Sequence, residues 1–181
     1  MIVIGNGESR AGINLDKIHD TKIGCNAIHR DFYVDHLVCV DAGTLKEARA
    51  SNLSNTTIWS RETLPSVPDG SQRADLPQHW GSGSYAVLLA TTMTNHIKII
   101  GFDLFSSNQL VNNIYKGTAH YSAPDKPAVD PKYWVYQISR IVMAHPDKYF
   151  TVYNKEGWQL PPSWQLANVE FKTLDNIVTM L

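Results

Sequence analysis

Three stretches carry residue types that bind and process small anionic molecules. Gly5-Asn6-Gly7-Glu8-Ser9 follows the first apolar run. Glycines there let the backbone turn sharply and approach a ligand, and a helix starting after them would offer N–H groups to a phosphate. Asn6 donates and accepts hydrogen bonds, which suits a base or a ribose. The motif lacks the third glycine of the dinucleotide fingerprint and the Gly-Lys of a Walker loop. A strand-to-helix turn with no ligand would use the same residues. Gly81-Ser82-Gly83-Ser84 precedes a nearly all-apolar segment and has the same physical character. Its simpler use is N-capping by serine.

The third stretch holds the histidine with the best context for chemistry. Seven histidines are scattered without metal-ligand spacing, but His120 lies in a long polar loop beside Tyr121 and near Tyr115. An imidazole titrates near neutrality and can take a proton from a sugar hydroxyl. Asn26, Asp41 and Asp103 fall in or at the ends of apolar runs. Burying such groups costs free energy unless they are hydrogen-bonded, so each either caps a neighbouring segment or meets a ligand. Asp41 suits a ribose contact or capping of Thr44. Asp103 reads first as a local acceptor for the Gly-Phe-Asp turn. By their spacing, Tyr133, Trp134 and Tyr136 read as helix core and rim rather than a sugar-stacking platform.

These residues need a scaffold, and the chain supplies alternating apolar runs and helix-like segments. Strands are expected at 1–4, 22–28, 36–40, 56–60, 97–100, 149–153 and 169–171. Helices are expected at 44–50, 84–95, 131–144 and 174–181, the third opening with Asp130-Pro131 as cap and first helical residue. Near-continuous apolar strands alternating with helices predict one α/β, Rossmann-like domain over residues 1–181, a mostly parallel sheet with helices on both faces. Segments 61–80 and 104–130 fit neither pattern. Each follows a strand's carboxyl end, where open α/β sheets bind ligands, so both are candidate lid or binding loops.

Composition narrows the function classes. With 181 residues, at about 150 per domain, one domain is expected. Hydrophobic residues are 43% and charged residues 18%, which argues against intrinsic disorder. The 16 Lys and Arg against 17 Asp and Glu give a net charge of -1, so no basic surface for nucleic acid is expected. Cys25 and Cys39 lie in apolar runs, as reduced buried thiols do, and no C-x-x-C or H-x-x-x-H pair points to a metal. There is no signal-peptide pattern, and no run nears the roughly 18 apolar residues of a membrane span. A cytoplasmic protein that binds a small molecule is expected. Homo-oligomerisation is compatible with Trp134, Trp158 and Trp164 in the C-terminal half.

The ordered set GNGxS, CNxxxxD, SGxY, IxxxGFD and HY, spanning Ile2 to Tyr121, resembles the bacterial lipooligosaccharide sialyltransferases, whose variant Rossmann domain binds a CMP-sialic acid donor. The resemblance implies a metal-independent glycosyltransferase with no cofactor beyond its CMP-type nucleotide-sugar donor and with a glycan acceptor. Gly5, Asn6, Gly7 and Ser9 would hold the nucleotide, and Asn26, Asp41 and Asp103 would line the donor site. Ser82 and Gly83 would bind its phosphate or carboxylate. His120 would be the general base, and Tyr115 would hydrogen-bond the departing phosphate. Phe105 stands where these transferases carry a second phosphate-binding tyrosine, and Asp41 where they carry asparagine. An aspartate there is closer to the motility-accessory and pterin pyrophosphokinase-like proteins, in which Asp41 would help hold Mg²⁺. A non-catalytic nucleotide-binding module, of the kind a phage or mobile element could encode, would keep the cleft without the chemistry.

Overall fold

The apolar runs become seven strands of one sheet, β1 (Ile2–Ile4), β2 (Lys22–Cys25), β3 (His36–Val38), β4 (Thr57–Trp59), β5 (His96–Ile100), β6 (Tyr149–Asn154) and β7 (Val169–Thr173). The computed structural model describes residues 1–71, 75, 79–106 and 108–178. Strand order is β4-β3-β2-β1-β5-β6-β7, and every pairing is parallel. The helices are α1 (Ala42–Ala50), α2 (Ser82–Thr91), α3 (Lys132–Ala144) and α4 (Asp175–Val178). The last is shorter than the expected 174–181, whose final three residues lie outside those described.

Alternation along each strand feeds two cores. Val3, Ile23, Val38, Ile97, Ile99 and Val152 pack with α2, α3 and Trp164 on one face. Ile2, Ile4, Leu37 and Ile100 pack on the other with Leu15, Ile28, Ala48 of α1 and Ile177 of α4. Both faces are covered, which is why the strands read as continuous apolar runs. Helix α2 is apolar all round because sheet and α3 enclose it. Phe150 is 1% exposed, and truncating such a ring to alanine costs about 3–5 kcal/mol.

Two expected elements take other forms. The segment after β1 forms a single tight turn, Glu8–Arg10, rather than an α-helix. Strand β2 stops at Cys25 instead of continuing to Ile28, because Asn26 adopts a left-handed φ of 53° and opens the short helical turn Asn26–Arg30.

The chain steps outward from β1 through β2 and β3 to β4, then crosses back to place β5 on β1's other side. This reversal between β1 and β5 is the topological switch point, whose carboxyl-end crevice is the usual ligand site of open α/β sheets. The two strand ends nearly touch there. A Cβ on Gly5 would fall 2.4 Å from the Gly101 carbonyl oxygen, and Gly101 has a φ of 70°. Only glycine meets both demands.

Candidate functional site

A cavity of about 230 Å³ opens at the switch point. Its walls include Gly5, Asn6 and Gly7 after β1, Asn26 after β2, Asp41 after β3, Ser82 and Gly83 at the start of α2, and Asp103 after β5. Eight residues singled out from sequence therefore converge on one hollow. Ser9, Tyr115 and His120 are not among its lining residues.

The glycine turn is internally bonded rather than an open anion nest. Gly7 N–H donates to Gly101 O (2.9 Å), Glu8 N–H to Asn112 Oδ1 (2.8 Å) and Ser9 N–H to Asp103 Oδ2 (2.8 Å). The Asp103 carboxylate lies against Gly7, where a Cβ would fall 2.5 Å from its Cγ. Asn6 is also engaged at both ends of its amide. Its Nδ2 donates to Cys25 O (3.0 Å) and the Tyr121 hydroxyl (3.4 Å), while its Oδ1 accepts from Arg10 Nη2 (3.1 Å). Arg10, buried, adds a 2.7 Å bond from Nε to Gly5 O. Asn6 thus fixes the shape of the turn that borders the cavity.

The start of α2 is different. Helix starts leave their first N–H groups without intrahelical partners. Gly81 N–H is taken by Gln137 Oε1 (3.2 Å), but the amides of Ser82, Gly83 and Ser84 have no acceptor among the described residues. These residues line the cavity, and Ser84 Oγ is buried without a hydrogen-bond partner among the described residues. A ten-residue helix here presents its positive end to the hollow, where an anion is stabilised.

Asn26 is oriented by a hydrogen-bond relay. Val40 N–H donates to Ser82 Oγ (3.1 Å), and Ser82 Oγ donates to Asn26 Oδ1 (2.9 Å). The single Thr44 hydroxyl proton is shared between the same oxygen (3.2 Å) and the Asp41 carbonyl oxygen (3.1 Å). Reversing the amide would leave the Ser82 proton without an acceptor, so Nδ2 is the free end, and it has no partner among the described residues. Asp41 makes no side-chain cap to α1; the Thr44 hydroxyl bonds to its carbonyl oxygen instead (3.1 Å).

Loop 104–130 returns over the site. Ile114 N–H donates to Asn6 O (2.9 Å), and Asn112 and Asn113 join the cavity wall. Further along, Arg30 binds the loop to α1. It grips both Glu47 oxygens (2.6 Å each), donates to Thr118 Oγ1 (2.8 Å) and Ala119 O (3.1 Å), and lies over the Tyr115 and Tyr121 rings. This bidentate pair holds the Glu47 carboxyl below its ordinary range. His120, with a left-handed φ of 68°, sets Nε2 3.7 Å from Glu47 Oε2 and rests on Gly43, two residues past Asp41. Tyr115 is buried with its hydroxyl 3.5 Å from Arg10 Nη2, and burial, with a contribution from Asp31, pushes it up to about 12. It is therefore a hydrogen-bond donor throughout the physiological range.

Several residues of the site take roles that their local sequence did not signal. Phe102, Tyr133 and Trp134 form an aromatic wall, although the latter two read from spacing as helix core and rim. Arg10, Tyr121 and Gln137 act through partners 4 to 115 positions away. Among the described residues no three His, Cys, Asp or Glu side chains gather closely enough to hold a metal ion, and no helix is long and apolar enough to cross a membrane. Comparison with protein-family models, curated proteins and solved structures finds no match.

Proposed function

We propose that this protein binds a nucleotide at the switch-point cavity and acts as a nucleotide-sugar-dependent glycosyltransferase with a CMP-type donor. The observation that carries the reading is the start of α2, where free amides and the oriented Asn26 Nδ2 face one hollow. Phosphate is the natural occupant of such a turn. The hollow, at about 230 Å³, is below the 300–1,000 Å³ of usual ligand pockets, so it accommodates the phosphate and part of the nucleoside while the sugar lies outside.

Departure of CMP leaves a phosphate of low basicity. N–H donors at α2 can stabilise that developing charge, since fixed donors in a site that excludes water act strongly on it. In this reading His120, exposed beside the first turn of α1, takes the acceptor hydroxyl's proton, and Glu47 holds the resulting imidazolium. Tyr115 supports Arg10 and the glycine turn. Titration calorimetry with CMP and CMP-sialic acid tests the donor class: binding of both is expected, and binding of neither at millimolar concentration rejects it.

A second reading draws on the two carboxylates that share the cavity, Asp41 and Asp103. Magnesium is commonly held by one or two carboxylates together with substrate phosphates, so this pair fits magnesium-dependent nucleotide-phosphate chemistry. Nucleotide affinity that rises with added Mg²⁺ selects this reading, and unchanged affinity selects the transferase. A binding module without chemistry is distinguished by His120→Ala leaving every activity of the protein intact.

A further inference from the structure

The cavity is lined by Asp41 and Asp103 but, among the described residues, by no lysine or arginine. An anion there depends on N–H groups, so every donor it can reach matters. Three oxygens of this region without a partner among the described residues, Ser9 Oγ, Ser84 Oγ and Asp103 Oδ1, are sealed off, and no ligand reaches them. Ser9 and Asp103 are already joined through the Ser9 N–H (2.8 Å), which leaves their remaining atoms to the inside of the glycine turn.

Trp134 supplies a donor that is open. The indole N–H groups of Trp59, Trp158 and Trp164 donate to His36 Nδ1, Asp103 O and Val135 O at 2.9–3.2 Å. That of Trp134, a half-buried residue of the cavity wall, has no acceptor among the described residues and is not sealed. The start of α2 fixes its place. A Cβ on Gly81 would fall 2.9 Å from Trp134 Nε1 and 3.3 Å from Cδ1, so the pyrrole edge of the indole lies against the N-cap residue. Glycine at that position admits the edge. It also brings no side-chain acceptor to a position where Ser, Thr, Asp or Asn usually takes the first amides. The Tyr133 ring packs beside the indole, with centroids 4.6 Å apart.

We propose that the Trp134 indole N–H is a further donor to the bound anion, beside the amides of Ser82, Gly83 and Ser84, and that Gly81 is glycine in order to seat it. The indole N–H donates and never accepts, so this edge of the cavity takes an acceptor oxygen. The inference rests on the nucleotide reading above and assigns the phosphate, rather than the base or the sugar, to the Trp134 edge.

Trp134→Phe keeps a ring against Gly81 and removes the N–H. Calorimetry with CMP and with cytidine, on wild type and variant, reads the phosphate contact by itself. CMP affinity is expected to fall about 10-fold or more, the lower range for losing a hydrogen bond to a charged group, while cytidine affinity stays within about twofold. Gly81→Ala keeps the indole but pushes its edge off the start of α2, and the same selective loss is expected. If Trp134→Phe weakens both ligands in parallel, Gly81→Ala decides: a loss confined to CMP upholds the assignment, and any other result overturns it. If wild type binds CMP no more tightly than cytidine, the anion reading falls and takes this one with it. If wild type prefers CMP and Trp134→Phe keeps the full preference, only the role of Trp134 is lost.

Discussion

The imidazole of His120 stands directly on Gly43, where an added Cβ would fall 2.5 Å from Nδ1. Glycine early in α1 weakens that helix, since alanine is favoured there by about 1 kcal/mol. The missing side chain is what lets loop 104–130 bring a histidine against the helix that begins beside Asp41.

On the proposed transferase reading, Gly43→Ala therefore separates catalysis from binding. The substitution favours the helix but displaces His120 from Glu47. CMP affinity is expected to stay within about twofold, while sugar transfer drops by roughly 10²-fold, the lower range for loss of a general base. Unchanged transfer in a folded variant would remove His120 from the mechanism.

Arg10 is the keystone of the glycine turn. Replacing it with methionine leaves the Gly5 carbonyl and Asn6 Oδ1 without their donor, so a loss of about 2–4 kcal/mol is expected. Urea unfolding measures it directly. Lysine should not restore stability, because one ammonium cannot reproduce the fork that meets Gly5, Asn6 and the Tyr115 hydroxyl together. Full rescue by Arg10→Lys would contradict this account of the turn.

The Arg30–Glu47 pair sets an acid limit on stability. Its two-oxygen grip lowers the Glu47 pKa in the folded protein. The unfolded chain then binds that proton more tightly, so the contribution is present above the ordinary carboxyl range and is lost as pH falls through the lowered native value. Urea midpoints measured from pH 7 down to pH 3 should fall less steeply in Glu47→Gln than in wild type. Identical slopes would show that the pair adds nothing.

Burial pushes Cys25 up to about 12 and Cys39 up to about 11. Both folded values exceed that of an ordinary thiol, so this contribution is intact below about pH 8.5 and is lost as pH rises through the native values. Native protein at pH 8 should react with a thiol reagent only through unfolding, and urea should accelerate modification in step with the unfolded fraction. Rapid stoichiometric labelling without denaturant would contradict the burial of both thiols.

The architecture was legible in the sequence because each strand is buried on both faces, and that leaves a mark within a few residues. Ile2-Val3-Ile4 and Ile97 to Ile100 read as strands for this reason, whereas the switch point between them follows from the strand order, which spacing along the chain does not give. The site was partly legible. Glycines, serines and carboxylates at strand ends are the residue types such edges require, and eight of them do share the cavity. The remainder depends on distant contacts. Nothing in Glu8-Ser9-Arg10 announces that Asp103 and Asn112 will take its amides, which replaces the expected free helix start with a bonded turn. Asn26 ended β2 early through a left-handed backbone that its neighbours did not signal. The seat of His120 on Gly43 joins residues 77 positions apart by number, so spacing alone could set His120 in a loop but not beside α1.

The most direct test of the account compares CMP with cytidine by calorimetry on the purified wild-type protein. The two differ only in the phosphate that the α2 amides are argued to hold. CMP should bind at least about tenfold more tightly than cytidine, and the difference should shrink as sulfate is added. Equal affinities for CMP and cytidine would contradict the central claim that α2 receives the anion.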